Sequence, residues 1–238
     1  MRVLEAEGLA KHFSGVTAVN GVDLAVAEGE LLGLFGPNGA GKTTLFNLVA
    51  GTFPPDRGRV RLNGQDITRL PAFRRARLGI GRTFQVVRPF RALSVLDNVL
   101  ASVPSAAAAD RDDTEAALAL LRHVGLADRA QARAGELTLG MLKRLEVARA
   151  LAVAPCLLLL DEPLAGLTSS EAGELLGFVG SLRERTSIVM VEHNVRLALP
   201  ICDRAVVMDA GSVIAEGTPA EIRANPQVIR AYLGEAAE

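Results

Sequence analysis

Gly36-Pro-Asn-Gly-Ala-Gly-Lys-Thr43 has the spacing GxxxxGK[ST], and its residue types suit one task, holding the terminal phosphates of a nucleotide. Glycines let the backbone turn N–H groups inward, a following helix adds the positive end of its dipole, and Lys42 brings a point charge to the β- and γ-oxygens. Thr43 is placed to offer its hydroxyl to magnesium. The expected cradle is the run Gly36, Pro37, Asn38, Gly39, Ala40, Gly41, Lys42, Thr43 and Thr44. A second constellation, Leu157-Leu-Leu-Leu-Asp161-Glu162, is an apolar run that ends in two adjacent acids. As a buried strand it would set both acids at the carboxyl edge of a sheet, where open α/β folds bind ligands. There Asp161 could hold the metal, directly or through water, and Glu162 could orient and deprotonate a water attacking the γ-phosphate.

Such groups need a scaffold that brings a loop and a strand end together. From Leu31 a short apolar strand enters the glycine-rich turn, and Lys42 to Ala50 follows with Leu45, Leu48 and Val49 at helical spacing, the strand-loop-helix unit of a parallel sheet. Leu157 to Leu160 and Ile188 to Val191 are continuous apolar runs of the kind helices cover on both faces. Between them a helix is expected after Ser169 and Ser170, with Leu175, Val179 and Leu182 on one face. Val19, Val22, Leu24 and Val26 approach period two, and Arg59 to Leu62, Asn63-Gly64 and Gln65 to Ile67 spell a tight hairpin. Val206 to Ile214 reads as another hairpin, and Pro219 to Leu233 as terminal helices.

Arg88 to Pro155 has no strong strand candidate and reads as a helical lobe inserted into the α/β core. Within it, Pro104 to Asp110 reads as a loop and Thr114 to Val124 as a helix ended by Gly125. The expectation is a single domain over 1–238, with 1–87 and 156–238 forming the catalytic core and 88–155 the helical part. There is one phosphate-loop motif and no repeat, hence one nucleotide site per chain.

Composition limits the alternatives. A chain of 238 residues with 49% hydrophobic content can bury one sizeable core, and 26 Lys+Arg against 27 Asp+Glu gives a net charge of -1. That balance removes the broad positive field of nucleic-acid binders, so no nucleic acid is expected as a partner. Cys156 and Cys202 are far apart in apolar contexts, which suggests core thiols in a reducing compartment. The opening Met1-Arg-Val-Leu-Glu-Ala-Glu lacks the pattern of a secretory signal, and the apolar run Leu151 to Leu160 is broken by Pro155 and too short to span a bilayer. The expectation is a chain held in the cytoplasm that reaches a membrane only through a partner.

Taken together, these residues resemble the ATP-binding cassette (ABC) ATPase family over essentially the whole chain. The resemblance implies a P-loop NTPase (RecA-like) α/β core, an antiparallel β subdomain and an inserted helical subdomain. Gly36 to Thr43 matches the Walker A motif and Leu157 to Glu162 the Walker B motif with its catalytic glutamate. Arg82-Thr-Phe-Gln85 resembles the Q-loop, whose glutamine senses magnesium and nucleotide; Val191-Glu-His193-Asn194 resembles the switch region, whose histidine contacts the γ-phosphate. Phe13 matches the aromatic that stacks on adenine. The implied cofactors are ATP and Mg2+, and the implied activity is ATP hydrolysis coupled to transport across a membrane.

Two elements depart from the family pattern. The usual Leu-Ser-Gly-Gly-Gln signature is here Leu137-Thr-Leu-Gly-Met141, with a helix expected from Leu142 to Ala154. Thr138 keeps a hydroxyl and Gly140 a close backbone approach, so the resemblance assigns both to the nucleotide of an opposing subunit, while Met141 cannot replace the glutamine's hydrogen bonds. In the loop Ala165-Gly-Leu-Thr168, threonine stands where many relatives have aspartate.

Leu78 to Phe90 and Ile214 to Leu233 are similar to the branched-chain amino acid importer ATPases; lipopolysaccharide-export and urea-import ATPases share versions of the second segment. The implied partners are a second ATPase subunit, identical or different and arranged head to tail, two transmembrane permease subunits, and, indirectly, a periplasmic or extracellular binding protein. The implied location is the cytoplasmic face of the inner or plasma membrane. Arg74, Arg75, Arg77, Arg82, Arg88 and Arg91 cluster around the Q-loop, where they read as a solvated surface or as the docking face for the permease. A non-transport ABC ATPase, a small-molecule P-loop kinase and a regulator with little catalysis are the rival readings.

Overall fold

A computed structural model of the chain describes residues 1–103 and 113–234. Alternating apolar residues near the N-terminus build an antiparallel sheet. Its strands are β1 (Arg2–Phe13), β2 (Val16–Ala27), β4 (Arg57–Leu62) and the short β5 (Gln65–Asp66), in the order β2-β1-β4-β5. Asn63 and Gly64 turn β4 into β5 with φ of 48° and 78°, the left-handed pair that Asn-Gly accepts at least cost.

The second sheet comprises β3 (Leu31–Phe35), β6 (Ile80–Arg82), β7 (Leu157–Asp161), β8 (Ser187–Val191), β9 (Arg204–Asp209) and β10 (Ser212–Gly217), in the order β10-β9-β3-β8-β7-β6. All neighbours are parallel except β10, which hairpins back on β9. Every residue of β3, β7 and β8 is buried, as expected for strands covered on both faces.

On one face, α1 (Lys42–Ala50) packs Leu45 and Leu48 into a core shared with Leu4, Leu24 and Val60 of the antiparallel sheet. On the other, α6 (Ser169–Ser181), α7 (Val195–Ala198) and the terminal α8 (Pro219–Ala224) and α9 (Pro226–Gly234) form a core around Leu175, Val179, Ala198, Ile222 and Val228. A third cluster, with Val95, Val99, Leu121 and Leu145, joins α3 (Val95–Leu100), α4 (Asp113–His123) and α5 (Leu139–Leu151). Each fully buried aliphatic side chain contributes about 1.5 to 3 kcal/mol of transfer free energy, so the three clusters supply the main favourable term. Cys202 belongs to the second of them, and burial pushes its thiol up to about 12.

Three expectations need correction. Helix α5 begins at Leu139, because the Thr138 side chain caps it by accepting from Met141 N, and it stops at Leu151 because Ala154 takes φ 47° ahead of Pro155. Strand β6 adds to the expected strands a member that carries no strand pattern of its own. It has only three residues, one of them Gly81, whose missing Cβ would lie 2.5 Å from Ala150 O. Arg75 of α2 (Ala72–Arg77) is no surface residue: it is fully buried, with its guanidinium spent on the carbonyls of Leu48, Val49, Thr68 and Leu70 at 2.7 to 2.9 Å. The loop read at Pro104 to Asp110 lies outside the described residues.

Candidate active site

Strands β3, β6, β7 and β8 lie side by side and parallel, so the segments that follow them gather at one edge. From β3 comes Gly36. It opens the loop with φ 141°, followed by Gly39 at 76° and Gly41 at 96°. A Cβ on Gly36 would lie 2.1 Å from Met208 O, and one on Gly41 would lie 2.2 Å from Ala18 O. Glycine is therefore imposed by backbone packed against backbone. No side chain caps α1, whose N-terminal amides open toward the loop, where an anion is favoured. The Lys42 ammonium curls over the loop and donates to the carbonyls of Gly36 at 2.6 Å and Pro37 at 2.7 Å. Pro37 and Ala40 are buried, Asn38, Gly39 and Thr43 are exposed, and Thr44 is half-buried on the first turn of α1.

At the end of β7 the two acids diverge in environment. Asp161 is buried; burial raises its carboxyl above the ordinary range, opposed by Arg82, while Glu162 pushes it further up. Its Oδ2 lies 3.5 Å from Arg82 Nη2, and its Oδ1 is buried without a hydrogen-bond partner. Arg82 itself is wedged between the rings of Phe46 and Phe84 and donates to Thr52 Oγ1 at 2.8 Å.

Glu162 sits at φ 47°, a left-handed backbone that a glutamate adopts only when its surroundings enforce it. Those surroundings are visible. Its N–H donates to Val191 O at 3.0 Å, and its carbonyl accepts from the Lys143 ammonium at 3.0 Å and from Ala165 N at 3.2 Å. The side chain is thereby aimed between two partners: Oε2 accepts from Gln85 Nε2 at 2.8 Å, and Oε1 lies 2.5 Å from His193 Nε2. Three residues expected from three separate motifs thus meet in one hydrogen-bonded chain.

Three supporting residues escaped sequence reading. Buried Lys143 also donates to Gln85 O at 3.1 Å, and burial lowers its pKa. Glu192, also buried, accepts from Leu164 N at 2.7 Å and from His193 N at 3.2 Å, tying the switch segment to the loop after Glu162. Glu146 accepts from Phe84 N at 3.3 Å. No local signal marks any of the three: Lys143 and Glu146 share their stretch with Arg144 and Arg149, and Glu192 precedes His193 and Asn194, so only the fold shows that each is buried and bonded.

Phe13 stands at the rim of the antiparallel sheet, 43% exposed, edge-on to Phe53 at 5.3 Å, with the Lys11 ammonium 5.5 Å from its ring centroid. Thr138 and Gly140 lie elsewhere, at the start of α5: Thr138 caps the helix, and a Cβ on Gly140 would meet Glu171 Oε1 at 2.9 Å. Thr168 is the N-cap of α6 in a capping box with Glu171, so the threonine keeps the capping role that an aspartate would fill. Next to Arg82 and Phe84 runs a groove of about 710 Å3, reaching Phe73, Arg88, Glu146 and Arg149.

The orphaned Asp161 Oδ1 is a hard oxygen donor, buried and without a hydrogen-bond partner, and it suits magnesium carried in on phosphates. Among the described residues no cluster of three or more His, Cys, Asp or Glu could hold a metal ion.

Residues 19–165 match the family model for ABC transporters, and residues 212–238 match one for branched-chain amino acid ATP-binding cassette transporters. The high-affinity branched-chain amino acid transport ATP-binding proteins BraF of Pseudomonas aeruginosa and LivG of Escherichia coli are each 40% identical to the chain, with 98% of both partners covered. A probable ABC transporter ATP-binding protein of Azorhizobium caulinodans is 42% identical over 98% of the chain and 83% of its own length. Among solved structures, an ATP-binding cassette of an ABC transporter in its ADP conformation superposes with a TM-score of 0.91 at 30% identity, covering 98% of this chain and 99% of its own. A cassette solved as a dimer in a post-hydrolysis state bound to ADP and phosphate gives 0.78 at 25% identity, covering 91% and 98%. With the glycine loop after β3, the acid pair and His193 converging on one sheet edge, and relatives matched over 98% of the chain, the chain belongs to the ATP-binding ATPases of the ABC transporter family.

Proposed function

We propose that the chain hydrolyses Mg-ATP to drive import of branched-chain or related amino acids, with Glu162 as the general base. The observation that carries the catalytic part is the chain Gln85 Nε2 to Glu162 to His193 Nε2, held over a strained main chain at the sheet edge that also presents the phosphate loop. In this reading the phosphate-loop amides and Lys42 grip the β- and γ-phosphates, and Phe13 stacks on adenine. Thr43 and Asp161, with Gln85, hold magnesium, which neutralises charge on the phosphate oxygens. Glu162 accepts the proton of a water as its oxygen bonds to the γ-phosphorus. The bond to the ADP oxygen breaks, and His193 holds the γ-phosphate oxygens. Glu162→Gln tests the assignment: ATP binding and a nucleotide-trapped dimer should persist while turnover falls by at least about a thousandfold. Undiminished hydrolysis would remove Glu162 from that role.

In the same reading two cassettes face each other head to tail, and Thr138 and Gly140 of each complete the site of the other. The partner cassette is an identical or a related chain. The groove lined by Phe84, Arg88 and Arg149 takes a segment of the transmembrane permease, and residues 88–155 act as the unit that transmits its movement. Exposed Phe73, Phe84 and Phe90 supply apolar contact beside arginines. Charge reversal at Arg88 and Arg91 should reduce co-purification with permease subunits while basal ATPase activity stays; equal loss of both would point to folding instead. The cargo rests on the match of residues 212–238, since in this reading the chain meets nucleotide, partner cassette and permease and not the cargo. No described helix is long and apolar enough to cross a membrane, which fits a peripheral subunit held at the cytoplasmic face through the permease. Identifying the permease and binding protein that co-purify, and the ligand that binding protein takes up, decides the substrate.

A further inference from the structure

We propose that Tyr232 is a positioning residue of the phosphate loop, its phenol oxygen fixing the first residue of the cradle from the far end of the chain. Gly36 N donates to Tyr232 Oη at 2.7 Å across 196 residues of sequence. Gly36 is the first residue beyond β3 and is buried, so its N–H lies past the end of the strand ladder, and a buried N–H without an acceptor is costly. On its other side the backbone of Met208 in β9 leaves no room for a Cβ. The residue that opens the loop is therefore gripped from two directions, by β9 and by the tail.

The tail is built to deliver that oxygen to a fixed place. Thr218 and Glu221 form a capping box at the start of α8, with Pro219 at the first helical position. Asn225 Oδ1 accepts from Gln227 N at 2.8 Å and turns the chain into α9. Ile222 and Val228 are buried in the core beside α6, and Tyr232 packs against the same cluster. The hydroxyl position is set by two anchored helices. Tyr232 and Val228 also form part of a cleft of about 500 Å3 that reaches His193 and Asn194, so the tail flanks the switch segment as well as the loop.

Tyr232 acts on the cradle through the Gly36 N–H, at the first residue beyond β3. Its loss should loosen the cradle that nucleotide must find ordered and leave the chemical step alone. Tyr232→Phe is expected to raise the KM for ATP about three- to tenfold, the effect of one neutral hydrogen bond, with kcat unchanged within about twofold. An unchanged KM with a lowered melting temperature would reduce Tyr232 to an anchor of the tail and overturn the proposal. A second measurement needs no variant. The chain has one tyrosine and no tryptophan, so 3-fluorotyrosine gives a single fluorine resonance that reports Tyr232 alone. Saturating Mg-ATP should shift that resonance by more than its linewidth; a resonance that stays in place while calorimetry records ATP binding overturns the proposal even where Tyr232→Phe fails to fold.

Discussion

Lys143 and Glu162 are joined through the main chain: the buried ammonium of the first donates to the carbonyl of the second at 3.0 Å and, at 3.1 Å, to that of Gln85. Helix α5, the proposed carrier of contacts to the opposite nucleotide, is thereby fastened to the proposed base of its own site. Lys143→Met keeps the bulk and removes both charged hydrogen bonds. With each worth about 1.5 to 3 kcal/mol, and part of that strain falling on the geometry of Glu162, kcat should drop about 10- to 100-fold with little change in ATP affinity. Steady-state ATPase kinetics beside nucleotide titration separates the two quantities.

Arg75 should matter for stability well beyond its distance from the chemistry. Its guanidinium closes the C-terminal end of α1, meeting the carbonyl of Val49 and that of Leu48, which otherwise accepts only a long bond from Gly51 N at 3.4 Å, and it crowds Gly51, where a Cβ would lie 2.5 Å from Nε. Arg75→Met should cost about 3 kcal/mol or more of unfolding free energy in a denaturant titration, because it strands several buried acceptors. Arg75→Lys should recover little of the loss, since an ammonium cannot reproduce the fork.

Glu146 gives the fold a pH dependence whose sign is fixed. Burial pushes its carboxyl up to about 7, against the opposing pull of Phe84 N, Lys143 and Arg149. Between its ordinary 4.5 and about 7, the folded chain holds a proton that the unfolded chain has released. Stability contributed by the neutral acid is thus full below 4.5, falls as pH rises through that window, and levels off above it, by up to about 3 kcal/mol. Glu146→Gln keeps the acceptor for Phe84 N and should flatten this part of the pH profile, leaving the variant more stable than the parent at pH 8.

The departures at Leu139 and Met141 should slow turnover in the opposing site. Leu139 is exposed and leans on Gly166, where a Cβ would meet its Cδ2 at 2.8 Å, so an apolar side chain covers the surface from which the usual signature would offer backbone and amide groups. Leu139→Gly with Met141→Gln should raise kcat about two- to tenfold in the dimer. Identical turnover of parent and double variant would mark both positions as neutral.

The sequence made the cradle and acid pair legible because local physics dictates them: a phosphate loop needs glycines at fixed intervals, and an apolar run broken by two acids leaves few alternatives. Gln85 and His193 were found only through likeness to a family, since nothing in either local pattern tells a bonded residue from a solvated one. Lys143, Glu146, Glu192 and Arg75 could not be found at all, because their roles depend on which carbonyls and amides the fold brings beside them. The start of α5 was misplaced for a related reason. Thr138 is both part of a recognised motif and a good N-cap, and the motif reading drew the helix boundary past it.

The contact between Gly41 and Ala18 is a meeting of two skeletons, one from the loop after β3 and one from β2 in the other sheet. Phe13 rides on the same antiparallel sheet as Ala18, so the backbone that carries the aromatic ring and the backbone of the loop are spaced where main chain meets main chain. If Phe13 and the loop grip the two ends of a nucleotide as proposed, exchanging residues around the base should alter how firmly it is held and leave that skeletal spacing in place.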